Sequence, residues 1–215
     1  MLGLDLAGSP ARATGACVLF GARRLAASVV HDDAEVLGLV DRVRPTLAVI
    51  DAPLSLPLGR ASLDDRSGPH FRECDRELRR LGIRFFPLTL GPMRMLTSRG
   101  IRLAGAIRRT GVEVLEGYPG GSQDLLGIPR KQAGVAALQR RLVSLGLGGD
   151  LAKRALTHDE LDAVTLAWVG WMHRRGAAML IGSPDEGVMV LPRPSGLTDP
   201  GSRRAPPPRA RPPAG

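Results

Sequence analysis

Short apolar runs alternate with amphipathic segments along most of the chain. Three apolar runs follow one another near the N-terminus, at residues 2–7, 15–20 and 23–30, and a tight turn near Gly21 and Ala22 separates the last two. Runs of this length, bounded by turn residues, are typical of strands. The spacing therefore predicts three consecutive strands in an antiparallel meander.

A helix and a buried strand are predicted next. Four apolar residues recur at helical spacing between residues 33 and 44, and Pro45 ends the helix. The apolar run 46–51 follows directly. The helix gives the connection the length that a crossover to a parallel strand needs. The order so far is βββαβ.

The rest of the body continues the alternation of helices and strands. Thr157 and Glu160 have the spacing of a capping box, which predicts a helix from His158. The complete pattern predicts an α/β fold with a mixed sheet. Its further segments are a loop (52–69), helices (70–81, 93–109, 131–145 and 158–175), a strand (112–116), a turn (117–121) and two short strands (178–181 and 187–191) around the turn SPDE.

The C-terminal segment differs in composition from everything before it. Residues 193–215 are dominated by Pro, Arg, Ala and Gly and offer almost nothing to bury. Such composition predicts a disordered basic tail. We therefore expect one folded domain, residues 1–192, followed by a tail, residues 193–215.

Charge and cysteine content limit the class of protein. The formal net charge is +9, of which the tail contributes five arginines against one aspartate. A basic chain suits an anionic partner such as nucleic acid, although arginine-rich composition alone is weak support. Two cysteines, Cys17 and Cys74, fit a reduced cytoplasmic protein. No apolar run is long enough for a membrane span, and the N-terminal residues do not resemble a secretory signal.

Acidic residues interrupt or end several of the predicted apolar segments. Asp5 lies within the first strand, Asp51 ends the fourth, and Glu116 ends the strand VEVLE. Asp159 and Asp162 are three residues apart at the start of the last long helix and so share a face. Sites in open α/β sheets form at the carboxyl ends of strands, so these carboxylates are candidates for one site.

Clustered carboxylates repel one another unless a cation lies between them. Mg²⁺ or Mn²⁺ prefers oxygen ligands, and such ions can activate water and stabilise the leaving oxygen of a phosphodiester. Each residue alone also has a structural explanation: Asp51 as a turn former and Asp159 as an acid in a helical first turn. Asp5 is the hardest to explain structurally, because strand interiors disfavour aspartate.

Some basic residues are further candidates. Arg72 and Arg76, with Asp75, could line a phosphate site, although so charged a helix is more often a solvated face. Lys131 could neutralise a scissile phosphate, although a lysine at a helix start is usually exposed. The turn YPGGS, residues 118–122, could offer amides to an anion or could serve only as a connection.

Several segments together resemble a known family. The order of elements and the acids resemble the ribonuclease H-like superfamily, and HDELDAVTLAWVG is similar to the closing helix of its Holliday-junction resolvases. More narrowly, the chain resembles the predicted nucleases of the domain of unknown function 429 family. The segments that carry this resemblance are GLDLAGSP (3–10), VIDAPLSLP (49–57), FRECDRELRRLGIRFFP (71–87), VLEGYPGGSQDLLGIPRK (114–131), HDELDAVTLAWVG (158–170) and GSPDEGVMVLP (182–192).

The resemblance implies a ribonuclease H-like fold and metal-dependent nuclease activity, with Mg²⁺ or Mn²⁺ as cofactor and nucleic acid as partner. It implies Asp5, Asp51 and Asp162 as core ligands, with Asp159 and Glu116 as further candidates. No acid on the first helix stands out as the usual second carboxylate, which argues against cleavage of RNA–DNA hybrids as such. Because resolvases of this superfamily are often dimers, the resemblance also implies a possible homodimer.

The sequence therefore leaves three functions open. The first is a metal-dependent phosphodiesterase that cleaves DNA or RNA with a metal-activated water. The second is a catalytically silent module that binds nucleic acid or a partner on the same fold. The third is a small-molecule phosphotransferase, because GLDLAGSPARATG (3–15) is similar to the first phosphate loop of sugar kinases. Those kinases pair two such domains, whereas 215 residues hold one.

Overall fold

The computed structural model describes residues 1–9 and 12–194, except for the side chain of Lys131. These residues form a mixed α/β fold, in which the predicted strands and helices occur in their predicted order and further short elements lie between them. The strands are β1 (Leu2–Asp5), β2 (Thr14–Phe20), β3 (Arg24–Val30), β4 (Leu47–Ile50), β5 (Glu113–Gly117), β6 (Gly148–Gly149), β7 (Ala178–Ser183) and β8 (Gly187–Pro192). The α-helices are α1 (Asp33–Val43), α2 (Glu73–Arg80), α3 (Gly91–Arg109), α4 (Pro119–Leu125), α5 (Val135–Ser144), α6 (Asp150–Lys153) and α7 (His158–Arg174).

All of the described strands belong to one sheet, in the order β6-β3-β2-β1-β4-β5-β8-β7. The first three strands pair antiparallel, as the meander predicts. Strand β4 then pairs parallel with β1, β5 parallel with β4, and β8 parallel with β5. The fold is therefore ribonuclease H-like, a mixed central sheet with a βββαβ core flanked by helices, and that prediction is confirmed.

Helices cover both faces of the sheet. On one face, α1 and α3 pack on Leu4, Ile50 and other apolar residues of the central strands. On the other face, α7 packs on Val49 and Leu115, and α5 and α6 extend this layer over β2 and β3. The alternation of side chains along each strand supplies both cores, because successive residues point to opposite faces.

Two glycines allow α7 to approach the sheet closely. A Cβ atom on Gly3 would lie 2.1 Å from the carbonyl oxygen of Ala163, and one on Gly15 would lie 2.0 Å from that of Asp159. Both contacts are to helix backbone, which cannot move away as a flexible side chain could. Asp5 pairs with Gly15 across the β1–β2 ladder. The first turns of α7 therefore lie directly over the strand end that carries Asp5.

Replacing Gly15 with alanine is expected to lower the free energy of unfolding by about 1–3 kcal/mol, the usual cost of overpacking a close contact. Urea unfolding followed by circular dichroism measures this change. Gly91→Ala is the matched control, because a Cβ atom on Gly91 meets nothing within 4 Å. Equal stability of the two variants would contradict the close packing of α7 on β2.

Two segments differ from the predicted secondary structure. The segment YPGGS does not form a simple turn, because Pro119 begins helix α4 there. The helix predicted from Lys131 begins only at Val135: residues Lys131–Ala133 form one turn of 3-10 helix and Gly134 has φ 112°. A non-glycine residue rarely adopts such a φ, so Gly134 separates the two helical pieces.

Most of the other elements match their predictions to within two or three residues. Thr157 and Glu160 form the predicted capping box, with hydrogen bonds in both directions. Cys17 and Cys74 are buried free thiols, and burial raises the pKa of each. An apolar helix of membrane-spanning length is absent from the described residues. Of the predicted tail, all but Arg193 and Pro194 lies outside the described residues, so its disorder stays a prediction.

Candidate functional site

Asp5 and Asp51 occupy neighbouring positions on two parallel strands. Leu4 pairs with Ile50, and the amide of Asp51 donates to the carbonyl oxygen of Leu4 at 2.8 Å. The ladder thus extends past Ile50, which brings the two aspartates level on strands about 4.8 Å apart. Leu4 and Ile50 face the α1–α3 layer, so alternation directs the aspartates toward the α7 layer. Both aspartates are half-buried.

Asp162 lies on the helix that covers this face. It is only 4% exposed and so lies on the buried side of α7. Gln123 of α4 donates from Nε2 to Asp162 Oδ1 at 2.8 Å and to Thr165 Oγ1 at 3.3 Å. Gln123 is itself 1% exposed. Helix α4, which no local pattern predicts, therefore orients the carboxylate of Asp162.

The first turn of α7 carries Asp159 and Glu160. The Asp159 side chain is 27% exposed and lies 2.7 Å from Nδ1 of His158. Glu160 is buried and accepts hydrogen bonds from Arg154 at 2.6 Å and from the amide of Thr157 at 2.9 Å. Although burial opposes ionisation, these hydrogen bonds lower the pKa of Glu160. Glu160 therefore holds the start of α7 in place, and Asp159 lies at the edge of the candidate site.

Glu116 lies on the opposite face of the sheet from Asp5 and Asp51. It pairs with Ile50 in the β4–β5 ladder, so its side chain points with Ile50 toward the α1–α3 layer. There its two oxygens accept hydrogen bonds from Arg72 at 2.6 and 2.7 Å, and Oε2 also accepts one from the amide of Leu54 at 2.8 Å. The structure thus separates Glu116 from the other predicted acids, and its observed role is to hold Arg72 and the loop after β4.

Arg72 is the centre of a buried ionic network. It is 2% exposed and also donates to both oxygens of Asp75, at 3.0 and 3.2 Å. Although burial opposes its charge, Glu116 and Asp75 raise the pKa of Arg72 well above its usual value. The phosphate-binding and the solvated roles considered for Arg72 and Asp75 are therefore both wrong. In the sequence, only the R-x-x-D spacing at a helix start indicates part of this network, namely the pairing of Arg72 with Asp75.

A second buried arginine organises the loop that follows Asp5. Arg99 of α3 is 2% exposed and donates to the carbonyl oxygen of Ala7 at 2.6 Å. It also donates to Asp33 Oδ1 at 2.7 Å and to the carbonyl oxygen of His31 at 3.3 Å. Arg99 therefore ties the segment after β1 to the start of α1. Sequence reasoning missed this residue, because nothing local distinguishes it from its exposed neighbours on α3.

A divalent cation would need several oxygen ligands from this region. Among residues 1–9 and 12–194, no three His, Cys, Asp or Glu side chains are grouped closely enough to hold a metal ion. Asp5 and Asp51 nevertheless provide two carboxylates from rigid strand ends, and Asp162 provides a third from the covering helix. Carboxylates of this kind suit Mg²⁺ or Mn²⁺. The donor chemistry therefore suits such an ion, and binding it would require the three side chains to converge.

The remaining predicted residues contribute less to this picture. The side chain of Lys131 lies outside the described part of the structure, so its proposed contact with phosphate stays a prediction. On the first helix, Glu35 is exposed, and its carboxylate accepts a hydrogen bond from the amide of His31 at 2.9 Å. The N-cap of α1 is Asp32, whose side chain accepts a hydrogen bond from the amide of Glu35 at 2.8 Å.

Comparisons with known proteins identify the family of this chain but not its activity. No curated protein gives a significant match. Among solved structures, one match is the Thermus thermophilus RuvC structure, at 17% sequence identity and a TM-score of 0.44, covering 82% of this chain and 97% of that one. This similarity is too distant to transfer a site or an activity.

A family comparison gives a firmer result. The match covers residues 3–186 and therefore reaches every described strand except β8. It includes Asp5, Asp51 and Asp162 as well as the buried network around Arg72. The family is described as "Protein of unknown function (DUF429)", and the chain belongs to that family.

Proposed function

We propose that this chain is a metal-dependent phosphodiesterase that hydrolyses nucleic acid. The observation that carries the proposal is the level placement of Asp5 and Asp51 on adjacent parallel strands, facing the helix that bears Asp162. Carboxylates presented from rigid strand ends on one face of a sheet are the oxygen ligands that Mg²⁺ and Mn²⁺ prefer. Such ions activate water for the hydrolysis of phosphodiesters.

The protein residues have distinct parts in the proposed mechanism. Asp5 and Asp51 present carboxylates from strand ends, whose backbone is held by the sheet, so their positions vary little. Gln123 orients Asp162 through its hydrogen bond. When bound by these carboxylates, Mg²⁺ or Mn²⁺ supplies the Lewis acidity that activates water and stabilises charge at phosphorus. Gly15 lets the first turns of α7, which carry Asp162, lie close to the strand end that bears Asp5.

The charge of the chain supports an anionic polymer as substrate. The net charge is +9, and a positive surface attracts phosphate backbones from a distance. This attraction also offsets the repulsion that a carboxylate site exerts on phosphate. A catalytically silent binding module has no comparable use for the acids at the ends of β1 and β4, and we therefore prefer the enzyme.

Cleavage of a mixed substrate panel tests the proposal. Purified protein is incubated with single-stranded DNA, duplex DNA, branched DNA, RNA and an RNA–DNA hybrid, each with Mn²⁺, Mg²⁺ or EDTA. We expect cleavage of at least one substrate with Mn²⁺ or Mg²⁺ and none with EDTA. Cleavage that persists in EDTA contradicts the metal-dependent mechanism.

Absence of cleavage with every substrate and either metal contradicts the nuclease assignment. A calorimetric titration then separates the remaining alternatives. Magnesium-dependent binding of ATP would favour a small-molecule phosphotransferase. Binding of nucleic acid without turnover would favour a binding module on the same fold.

A further inference from the structure

The aromatic side chains of this protein are concentrated in one groove. The chain contains four Phe, one Tyr and two Trp. Three of the Phe and the Tyr line a single cavity of about 1210 Å³ beside helix α2: Phe71, Phe85, Phe86 and Tyr118. We call this cavity the aromatic groove. Phe86 is 70% exposed, so burial in the core does not account for its presence.

The other three rings are held in fixed positions. Phe71 and Phe85 pack edge to face, with ring centroids 6.1 Å apart. The Tyr118 hydroxyl donates to the carbonyl oxygen of Arg84 at 2.7 Å. The guanidinium of Arg79 lies 5.4 Å from the ring centre of Phe71. Rings that are already ordered lose little conformational entropy when a ligand stacks on them.

The groove carries positive charge. Its lining includes three arginines, Arg79, Arg84 and Arg130, and one acid, Asp124. Arg130 forms an ion pair with Asp124 and lies 6.0 Å from the ring centre of Tyr118. Arg79 and Arg84 are both exposed. The surplus of cations suits an anionic ligand that also has flat apolar faces.

The groove adjoins the candidate site. Tyr118 directly follows strand β5, which is the parallel neighbour of β4. Burial raises the pKa of Tyr118, and the charge of Asp51 adds to that effect against the opposing charge of Arg130. Glu116 pairs with Ile50, so Tyr118 lies within one residue of the level of Asp51 on the neighbouring strand. A strand bound in the groove could continue past Asp51.

We propose that the aromatic groove binds unpaired nucleotides of single-stranded nucleic acid, with bases stacking on Phe86 and phosphates facing Arg79 and Arg84. Aromatic platforms beside arginines bind single strands in this way, because every base has a flat face that can stack. A fully paired duplex keeps its bases inside the helix and cannot use the platform. The proposal names the substrate class of the proposed nuclease, and it rests on that function only for the cleavage of the bound strand.

Fluorescence anisotropy in EDTA tests the groove separately from catalysis. The probes are a short labelled oligothymidylate, the matching oligouridylate and a labelled duplex of equal length. We expect either single strand to bind more tightly than the duplex, and Phe86→Ala to weaken single-strand binding roughly 5- to 100-fold, the effect of losing one stacked base. Phe86 is exposed, so this variant should fold normally, as circular dichroism will check.

Phe20→Ala is the matched control. Phe20 is 48% exposed and has Arg24 over its ring at 5.5 Å, but it lies at the end of β2, away from the groove. Its replacement should leave the affinity unchanged. Equal affinity of Phe86→Ala and wild type, equal loss in both variants, or tighter duplex binding would overturn the proposal.

A second variant tests the phosphate contacts. Arg84→Gln should reduce the slope of log affinity against log salt by about one, as expected for one lost phosphate contact. An unchanged slope would contradict the assigned contact. If single strands bind as expected but no substrate is cut, the groove stands and the nuclease proposal fails. If substrates are cut but the variants bind like wild type, the groove proposal fails alone.

Discussion

Replacing Asp51 with asparagine is expected to reduce nucleic-acid cleavage about a thousandfold or more while leaving the fold intact. The substitution keeps the size of the side chain and removes its negative charge. Metal-assisted stabilisation of a phosphoryl transition state is worth several kcal/mol, and each ~1.4 kcal/mol changes the rate tenfold. The loss is measured as kcat/KM on whichever substrate the panel identifies. Asp5→Asn should behave in the same way, because the two residues lie level on adjacent strands.

The matched control is Asp41→Asn. Asp41 is an exposed residue of α1 that lies 3.8 Å from Arg44, with 79% of its side chain exposed. The same chemical change there should leave cleavage unaltered. The thermal midpoints of all three variants should stay near that of wild type. Cleavage by Asp51→Asn at the wild-type rate would remove Asp51 from the mechanism.

Replacing Arg72 with methionine is expected to lower the free energy of unfolding by about 3–5 kcal/mol, because it leaves the Glu116 and Asp75 carboxylates buried without their cation. Both acids are buried, at 4% exposed, and both accept hydrogen bonds from the guanidinium. Urea unfolding measures the loss as a lower midpoint at an unchanged m-value. So large a loss is a substantial part of the stability of an ordinary domain.

Two control variants test whether the loss of stability comes from buried carboxylates left without a cation. Arg76→Met changes a partly exposed arginine of α2 that pairs with the Glu73 carboxylate at 3.0 Å, and it should alter stability little. Adding Glu116→Gln to Arg72→Met should recover part of the lost stability, because one stranded carboxylate is removed. Equal effects of Arg72→Met and Arg76→Met would show that the network contributes little.

The order of secondary structure elements could be predicted from local patterns. Strands β1 to β4 and helices α1, α3 and α7 were each marked by apolar periodicity, by proline or by a capping box. Helix α4 was missed, because two consecutive glycines are unfavourable in a helix, even after a proline that suits its first position. Its glycines lie against other groups: a Cβ atom on Gly121 would lie 2.8 Å from the Tyr118 ring. Tertiary packing therefore overrode the local preference.

The candidate site could be predicted only in part. Asp5 and Asp51 were identifiable, because an acid in or after an apolar strand is locally unusual. Glu116 gave the same local signal but faces the other side of the sheet, where Arg72 binds it. Gln123 and Arg99 gave no local signal at all, although each orients part of the region.

The amino-acid sequence by itself determined the α/β order of the main elements and the acids at the strand ends, because these follow from local periodicity and residue chemistry. Only the tertiary structure decided which face each acid occupies and which arginine neutralises it. Strand register sets the face, and a shift of one residue reverses it. Arg72 and Glu116 are separated by 44 positions in the chain, so no local pattern could have paired them.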